Sequence, residues 1–328
     1  MSNASRWSDF DFASLAGCRA LVTGGAGFIG SHLAIALNSI GVKVTVLDDL
    51  CAGGDPKTLP AEIEFVRGSI LDLPVVEKCV KDCRFVFHQA ALGSVPRSVE
   101  HPRLFHDVNA TGTLNVLEAA RHAGVKRVMF AASSSAYGDS PTLPKIETMP
   151  VMPRSPYAAN KVGCEALMSA YAASYAIDTV NLRYFNIFGP RQSPDNAYAA
   201  VIAAFAKALL KGQHPLIFGD GEQSRDFTYV DNAVLANLLA AGSDKPLKGM
   251  VLNVACGQRV TVTELAHAMA ALLDRADLTP VYKPERAGDV KHSLADLSLT
   301  KQHLDYRPVV GFGDGLAITV KWYKSVLG

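Results

Sequence analysis

The stretch Thr23-Gly24-Gly25-Ala26-Gly27-Phe28-Ile29-Gly30 decides how the first half of this chain is interpreted. It follows the apolar run Ala20–Val22 and opens a helical pattern. A strand, a glycine turn and a helix in this order bind a dinucleotide pyrophosphate, because free N–H groups and the helix dipole meet negative charge. We expect Gly24 to permit the turn, Gly27 to let phosphate approach, and Gly30 to let helix and strand pack closely.

An acidic residue stands at the end of the next apolar run. Three glycines alone would equally suit a structural turn. However, Val42–Leu47 predicts a second strand, and Asp48, Asp49 and Leu50 follow it. Asp48 lies roughly 20 residues after the glycines, where a carboxylate accepts both hydroxyls of an adenosine ribose. Both aspartates would repel a 2′-phosphate, so the sequence predicts NAD rather than NADP.

The composition excludes several classes of partner. The chain has 328 residues, enough for one large domain or two, and 49% of them are hydrophobic. A net charge of +1 favours neither a nucleic acid nor a membrane surface as partner. The polar start and the short apolar runs predict neither a signal peptide nor a membrane span. Six scattered cysteines lack metal-ligand spacing, which predicts no metal site and a cytoplasmic location.

Apolar, β-rich runs alternate with helical patterns through the first half. The predicted strands are Arg19–Thr23, Val42–Asp48, Ile63–Arg67, Phe85–His88, Arg127–Ala132 and Thr179–Tyr184. The predicted helices are Phe28–Ser39, Pro74–Lys81, His101–Ala123 and Tyr157–Tyr175. Buried strands separated by helices predict an α/β fold with a doubly wound parallel sheet of Rossmann type, covered on both faces.

The pattern loosens after Arg191 and predicts a smaller α/β C-terminal lobe. Helices are expected near Tyr198–Leu210, Val230–Ala241 and Val262–Leu273. We expect residues 1–190, with returning segments around 228–256, to bind the dinucleotide. Residues 191–328 would mainly bind the substrate.

Tyr157 and Lys161 form the candidate catalytic pair. Four residues apart on one helix, they share a face. The Lys161 ammonium would lower the pKa of the Tyr157 phenol, which could then take a proton from a sugar hydroxyl near neutral pH. Such a pair often arises by chance. Here Ser133, Ser134 and Ser135 end a predicted strand at its carboxyl end, where α/β sheets place their chemistry. A serine hydroxyl there can bridge substrate and tyrosine.

With the glycine spacing G-x-x-G-x-x-G, these features give the chain a family resemblance. It resembles the extended short-chain dehydrogenase/reductases of the nucleotide-sugar 4-epimerase family from Arg19 to Tyr323. Within that family it is most similar to the UDP-N-acetylglucosamine 4-epimerases. The segments that carry the resemblance are His88–Ser98, Ala131–Gly138, Leu182–Arg191, Gly219–Phe227 and Arg286–Ser293.

The resemblance implies a role for each matching residue. Tyr157 would be the base, Lys161 its partner and a ligand of the nicotinamide ribose, and Ser133 the bridging hydroxyl. The other residues implied to contact NAD are Gly24, Gly27, Phe28, Ile29, Gly30, Asp48, Asp49, Leu50, Ser69, Ile70, Gln89, Ala90, Leu92, Asn109, Tyr184 and Phe185. Those implied to face the hexose are Gly93, Ser94, Ser134, Ser135 and Ser293, and those implied to hold UDP are Asn186, Ala200, Val201, Phe218, Arg225, Arg286 and Asp289.

One segment departs from the family pattern. Members usually carry Gly-Asp-Ile after the third strand, where the aspartate contacts adenine. This chain has Gly68-Ser69-Ile70. We therefore expect weaker binding of adenine.

The residues before Tyr137 distinguish between the reactions that members of the family catalyse. Dehydratases of this family carry an Asp-Glu pair in the places of Ser134 and Ser135, and decarboxylases carry Glu in the second place. Serines cannot do that acid–base work at neutral pH. The resemblance therefore implies C4 epimerisation of a UDP-hexose through a 4-keto intermediate. A small residue at Ser293 implies UDP-GlcNAc and UDP-GalNAc as substrates, with UDP-Glc and UDP-Gal also possible.

Other functions stay open at this stage. A UDP-uronic acid 4-epimerase would need a cation near C6 of the sugar, and Arg97 is a candidate. Another NAD-dependent nucleotide-sugar-modifying enzyme, or a dinucleotide-binding sensor or structural subunit, would share the fold.

The resemblance also implies a homodimer held by a four-helix bundle. The matching segments are His101–Ala123 and Tyr157–Tyr175, and their small residues would allow close helix approach. These residues are Ala119, Ala120, Ala166, Ala170 and Ala172. They could instead pack within the monomer.

Overall fold

The computed structural model describes residue 7 and residues 9–193, 201–285 and 291–327. Its strands, in chain order, are β1 (Arg19–Thr23), β2 (Lys43–Asp48), β3 (Glu64–Arg67), β4 (Phe85–His88), β5 (Arg127–Ser133), β6 (Asp178–Tyr184), β7 (Ile187–Phe188), β8 (Leu216–Phe218), β9 (Ser224–Arg225), β10 (Thr228–Tyr229), β11 (Met250–Val254), β12 (Val260–Thr261) and β13 (Val281–Lys283). Its α-helices are α1 (Phe28–Ser39), α2 (Leu73–Val80), α3 (Val95–Glu100), α4 (Pro102–His106), α5 (Gly112–His122), α6 (Pro156–Ser174), α7 (Val201–Leu210), α8 (Val230–Gly242), α9 (Val262–Leu272), α10 (Ser298–Leu304) and α11 (Phe312–Leu327).

A seven-stranded sheet forms the centre of the molecule, in the order β11-β6-β5-β4-β1-β2-β3. Every neighbouring pair in it is parallel. The six predicted strands are confirmed to within one residue at each end. The strand order reverses between β1 and β4, and this is the point at which doubly wound sheets bind ligands. The predicted Rossmann-type fold is therefore confirmed.

Hydrophobic cores cover both faces of the sheet, because successive strand residues point to opposite sides. Leu21 packs with Val86 and Leu117 on the face that α5 covers. Its neighbour Val22 packs with Leu33 on the face that α1 and α8 cover. Strands buried on both faces are largely apolar, which explains why these runs could be located in the sequence.

The helix predicted over His101–Ala123 is continuous but contains a π turn. Between α4 and α5, residues Asp107–Thr111 adopt the wider π conformation. The turn contains Asn109, whose backbone carbonyl accepts bonds from the Thr113 hydroxyl and the Cys164 thiol. The π turn therefore coincides with a tertiary contact that periodicity alone does not reveal.

A third core lies in the C-terminal part, where α7, α9 and α11 pack around Phe205, Leu265 and Val320. Thr261 begins α9 with a reciprocal capping box, in which its side chain and that of Glu264 satisfy each other's backbone N–H. The sequence analysis missed α3, α10 and α11. Among the described residues, none of the helices has the length and apolar content that crossing a bilayer requires.

Candidate active site

A cavity of about 1320 Å³ opens where the strand order reverses, and it brings together most of the residues that the sequence indicated. The predicted residues that line it are Gly24, Gly27, Phe28, Ile29, Gly30, Asp48, Asp49, Ile70, Gln89, Ala90, Leu92, Gly93, Ser133, Ser134, Ser135, Tyr157, Lys161, Tyr184, Phe185, Asn186, Arg225 and Ser293. Val201 and Phe218 line a second cavity of about 270 Å³. The two cavities share Asn186 and Arg225, so they adjoin.

Several predicted residues do not line either cavity. The Ser69 hydroxyl accepts a bond from Leu71 N at 3.3 Å, and the Ser94 hydroxyl caps α3. Leu50 has a positive φ of 64° beside Asp48, and Asn109 is buried beneath the cavity wall. Ala200, Arg286 and Asp289 lie outside the described residues.

The glycine turn has the geometry that a dinucleotide requires. Gly24 has φ of +68°, and a Cβ on Gly30 would stand 2.1 Å from the Gly24 carbonyl oxygen. Gly27 precedes α1, and no side chain in the described part of the chain caps the helix. The first N–H groups of α1 are therefore available to an anion in the cavity.

Asp48 is held at the glycine turn by backbone donors. One carboxylate oxygen accepts from Ala26 N at 3.0 Å, and the other accepts from Leu50 N at 2.8 Å. The carboxylate lines the cavity beside the N-terminus of α1. The turn and Asp48 together fit the pyrophosphate and ribose of NAD.

Tyr157, Lys161 and Ser133 meet at the inner wall of the cavity. The Lys161 Nζ donates to the Ala131 carbonyl at 2.7 Å and lies 5.9 Å from the centroid of the Tyr157 ring. Burial lowers the pKa of Lys161 to about 8, although Cys164 and Glu165 oppose the shift. Ser135 donates to the Ser133 hydroxyl at 2.8 Å, which leaves the Ser133 proton for the phenol.

The expected lowering of the Tyr157 pKa is wrong for the protein alone. Burial raises the pKa of the phenol above its ordinary value, and the hydrogen bond with Ser133 opposes this effect. Lys161 does not reverse the shift because its ammonium is turned toward the Ala131 carbonyl. A bound oxidised nicotinamide would add positive charge at this place.

Residues 20–255 match the model of the NAD dependent epimerase/dehydratase family. The chain belongs to this family. It is an NAD-dependent enzyme.

Relatives match over nearly their whole length. A UDP-glucose 4-epimerase of Mycolicibacterium smegmatis is 39% identical over 94% of this chain and 99% of its own. The structure of a UDP-N-acetylglucosamine 4-epimerase from Methanobrevibacter ruminantium, in complex with UDP-N-acetylmuramic acid, is 41% identical with a TM-score of 0.89, covering 94% of this chain and 99% of its own. The structure of the Thermus thermophilus UDP-glucose 4-epimerase with NAD is 37% identical with a TM-score of 0.85, covering 94% and 99%.

The enzyme carries a cation at the glycine turn that the sequence analysis missed. Arg191 lines the cavity, and its guanidinium donates to the Ser31 hydroxyl in the first turn of α1 at 3.3 Å. A guanidinium beside a helix N-terminus suits a pyrophosphate. Its place at the end of the segment Leu182–Arg191, which carries the family resemblance, was the available signal.

Other polar side chains support the cavity wall from behind. Asn109 accepts from Leu92 N at 2.8 Å and donates to Leu92 O at 3.0 Å, so it positions Leu92 in the cavity wall. Tyr184 donates to the Gln89 amide oxygen at 3.1 Å and accepts from Asn237 at 2.7 Å. Asn237 lies on α8, far from its partners in sequence, and was not predicted.

His88 is a neutral bridge beneath the glycine turn of the enzyme. The Thr113 hydroxyl donates to Asn109 O, so it accepts from His88 Nε2 at 2.9 Å. His88 Nδ1 then accepts from the Thr23 hydroxyl at 2.7 Å. Burial, and secondarily the charge of Lys161, lowers the pKa of His88 to about 3.

We expect His88 to make the enzyme less stable in mild acid. The unfolded chain binds a proton at about pH 6.5, whereas the folded protein resists protonation until about pH 3. The stabilisation is therefore complete above pH 6.5 and falls by about 1.4 kcal/mol for each pH unit below it. Urea unfolding of wild type and His88→Gln at pH 7 and pH 5 measures this. The free energy of unfolding should fall less from pH 7 to pH 5 in His88→Gln than in wild type. Equal decreases would contradict the assignment.

Proposed function

We propose that this enzyme is an NAD-dependent UDP-sugar 4-epimerase acting on UDP-GlcNAc and UDP-GalNAc, with UDP-Glc and UDP-Gal also accepted. The observation that carries the proposal is the arrangement of Ser134 and Ser135 in the cavity wall beside Ser133 and Tyr157. Dehydratases and decarboxylases of this type carry carboxylates in those places. Hydroxyl groups cannot supply the extra proton transfers, which leaves inversion at C4.

Tyr157 would remove the proton from O4 of the sugar. Bound NAD supplies the acceptor and then the donor of the C4 hydride. Ser133 would bridge O4 and the Tyr157 phenol through its hydroxyl, and Lys161 would hold the nicotinamide ribose. The 4-keto sugar would then turn about its bond to the diphosphate, so that the hydride returns to the opposite face of C4 while Tyr157 returns the proton to O4. The cavity has a total volume of about 1320 Å³, which the cofactor and the sugar would share.

We propose that the second cavity binds the uridine diphosphate of the substrate. Its walls are largely apolar and include Phe218 and Val201, and Arg225 connects it to the larger cavity. The Gln223 amide oxygen is buried in this wall without a partner among the described residues. An N–H donor such as that of a uracil ring would satisfy it. Contacts from Ala200, Arg286 and Asp289 remain predictions from the resemblance.

A panel of UDP-sugars tests the function. Purified enzyme is incubated with UDP-GlcNAc, UDP-GalNAc, UDP-Glc, UDP-Gal and UDP-glucuronic acid, and the C4 configuration is followed by proton NMR. Inversion of the acetylated pair supports the proposal. The absence of inversion in all five sugars would rule out a 4-epimerase.

A uronic acid is the second candidate substrate. Arg97, the predicted C6 cation, does not line the cavity, but Lys145 and Arg154 do. Lys145 is buried and donates to Ser140 O. A cation in this wall could face a carboxylate at C6. Inversion of UDP-glucuronic acid alone in the NMR panel would favour this candidate.

Asp48 should make the enzyme prefer NAD to NADP. Its carboxylate would accept both ribose hydroxyls, whereas a 2′-phosphate would meet two negative charges at Asp48 and Asp49. We expect NADP to bind at least ~10-fold more weakly, the scale of losing a hydrogen bond to a charged group. Calorimetric titration of cofactor-free protein measures both affinities. Asp48→Asn should reduce the difference between the affinities for NAD and NADP. Equal affinities for the two cofactors in wild type would contradict the ribose contact.

We also propose the homodimer that the resemblance implies. Leu104 and Leu114, in the helical segment from α4 to α5, are 46% and 39% exposed, and Ala166 and Ala170 on α6 are at least partly exposed. Ala119 and Ala120 are buried within the monomer core, so they do not contribute to a dimer surface. Sedimentation of the purified protein measures its mass in solution.

The division of the chain and its location stay proposals as well. Residues 1–190 with 228–256 would bind NAD, and residues 191–328 would mainly bind the UDP-sugar. The six cysteines are all free thiols, in agreement with a cytoplasmic location.

A further inference from the structure

Asp226 is a fully buried carboxylate that backbone N–H groups surround. One oxygen accepts from Cys256 N at 3.0 Å. The other accepts from Gly257 N at 3.0 Å and from Ala295 N at 3.2 Å. The side chain therefore joins segments that are distant in sequence.

The two joined segments are the residues that follow β11 and a segment that contains the cavity residue Ser293. Cys256 and Gly257 directly follow β11, the outer strand of the sheet. Ala295 belongs to residues 291–297, which we name the gate segment because it contains Ser293. The gate segment also bonds to β9, since Ser224 N donates to Lys291 O and Ser293 N donates to Ser224 O, each at 3.0 Å.

Ser293 is itself held at the same point. Its hydroxyl accepts from Asp226 N at 3.4 Å and from the Asn186 amide at 3.2 Å. The Asn186 amide also donates to Asp226 O at 3.3 Å. The backbone and the carboxylate of Asp226 thus both contact the gate segment. The carboxylate also accepts hydrogen bonds from Cys256 N and Gly257 N, just after β11.

We propose that Asp226 is a positioning residue that fixes the gate segment against the sheet and so sets which substituent at C2 of the sugar can enter. This inference rests on the proposed function, because it takes Ser293 to stand beside C2. Asp226 does not touch the reacting atoms. It acts through the placement of Ser293.

The energetics of Asp226 agree with a positioning role. Burial raises its pKa to about 6, although the backbone hydrogen bonds oppose the shift. A carboxyl whose pKa is raised on folding stabilises the protein when protonated, and this contribution is lost as pH rises through about 6. Near pH 7 ionisation of Asp226 therefore costs stability, and the backbone N–H groups that the carboxylate holds in place offset part of this cost.

The test is a double-mutant cycle with Ser293→Tyr, read as the Kd of UDP-GlcNAc for the NAD-loaded enzyme. Asp226→Asn keeps the shape but replaces one acceptor by an NH2 group, which then faces a backbone N–H. If Asp226 holds the gate segment, Asp226→Asn loosens it. In the double variant the tyrosine at position 293 can then move out of the cavity. We expect the loss of affinity that Ser293→Tyr causes to be at least ~5-fold smaller in the Asp226→Asn background, within the range of coupled neighbours. Independent effects of the two changes would overturn the proposal.

Asp178→Asn is the matched control. Asp178 also accepts from backbone N–H groups, those of Leu247 and Lys248, but at the opposite end of the sheet beside Arg127. It should lower thermal stability and leave the effect of Ser293→Tyr unchanged. A purely structural role for Asp226 predicts the same behaviour for both variants.

A second variant and a wild-type measurement complete the test. If Asp226→Asn is recovered unfolded or without NAD, the cycle is repeated with Ala295→Pro, which removes the Ala295 N–H donor and leaves the donors Cys256 N and Gly257 N unchanged. Because the readout is binding, a wild type that binds UDP-GlcNAc without inverting C4 contradicts the proposed function alone. Failure of the wild type to bind UDP-GlcNAc overturns the inference about the gate.

Discussion

Tyr157→Phe should lower kcat at least ~10²-fold, the scale of losing a general acid–base group. The change removes one oxygen and keeps the ring that lines the cavity. The backbone N of Tyr157 donates to the Ser98 hydroxyl, and this bond at the start of α6 does not depend on the side chain. We therefore expect the fold and the bound NAD to be retained.

The measurement is steady-state C4 inversion together with the NAD content of the purified protein. Tyr175→Phe, just beyond the other end of α6, is the matched control, because its ring packs against Tyr171 away from the cavity. It should leave kcat unchanged. Wild-type turnover in Tyr157→Phe would exclude the phenol as the base, and loss of NAD would show a structural effect instead.

Ser293→Tyr should destroy activity on the acetylated sugars and spare the plain hexoses. Ser293 lines the cavity and is 9% exposed, so a larger side chain there must enter the cavity or displace the gate segment. A tyrosine would fill the space that an acetamido group at C2 needs. A steric block discriminates by repulsion, and we expect the ratio of kcat/KM between the two substrate types to change at least ~10²-fold.

Ser293→Ala provides the control for the lost hydroxyl. It removes the bonds to Asp226 N and Asn186 but adds no bulk, so the acetylated sugars should remain substrates. Equal losses on both substrate types in Ser293→Tyr would contradict the gate. So would a wild type without activity on UDP-GlcNAc.

The parts of the fold that the sequence predicts are those with a local cause. A strand such as β4 is buried on both faces, so its run Phe85–Phe87 is apolar and visible in the sequence. Glycine is required at position 24 by its positive φ. It is required at position 30 because a Cβ there would lie 2.1 Å from the Gly24 carbonyl oxygen, so both causes act within seven residues. The strands, α1 and the cavity residues near the glycine turn follow from such causes.

The contacts that could not be predicted join residues far apart in the chain. Asn237 reaches Tyr184 from α8, and Asp226 reaches Ala295 across 69 positions. Lys161 has the predicted spacing from Tyr157, yet its ammonium bonds to Ala131 O. The spacing fixes a shared helix face, but the direction of an ammonium depends on the acceptors that the folded sheet presents.

The position of β11 has a consequence for the synthesis of this chain. β11 borders β6, and α8, which is buried along nearly its whole length, covers the face beside it. Both follow residue 229, so a nascent chain that has just completed β6 has an unpaired strand edge and an uncovered apolar face. The cofactor half therefore cannot finish folding while the ribosome is still making the following 70 residues, from 185 to 254. A fragment ending at residue 190 would lack β11 and α8, so we expect it to be a poor substitute for an NAD-binding domain.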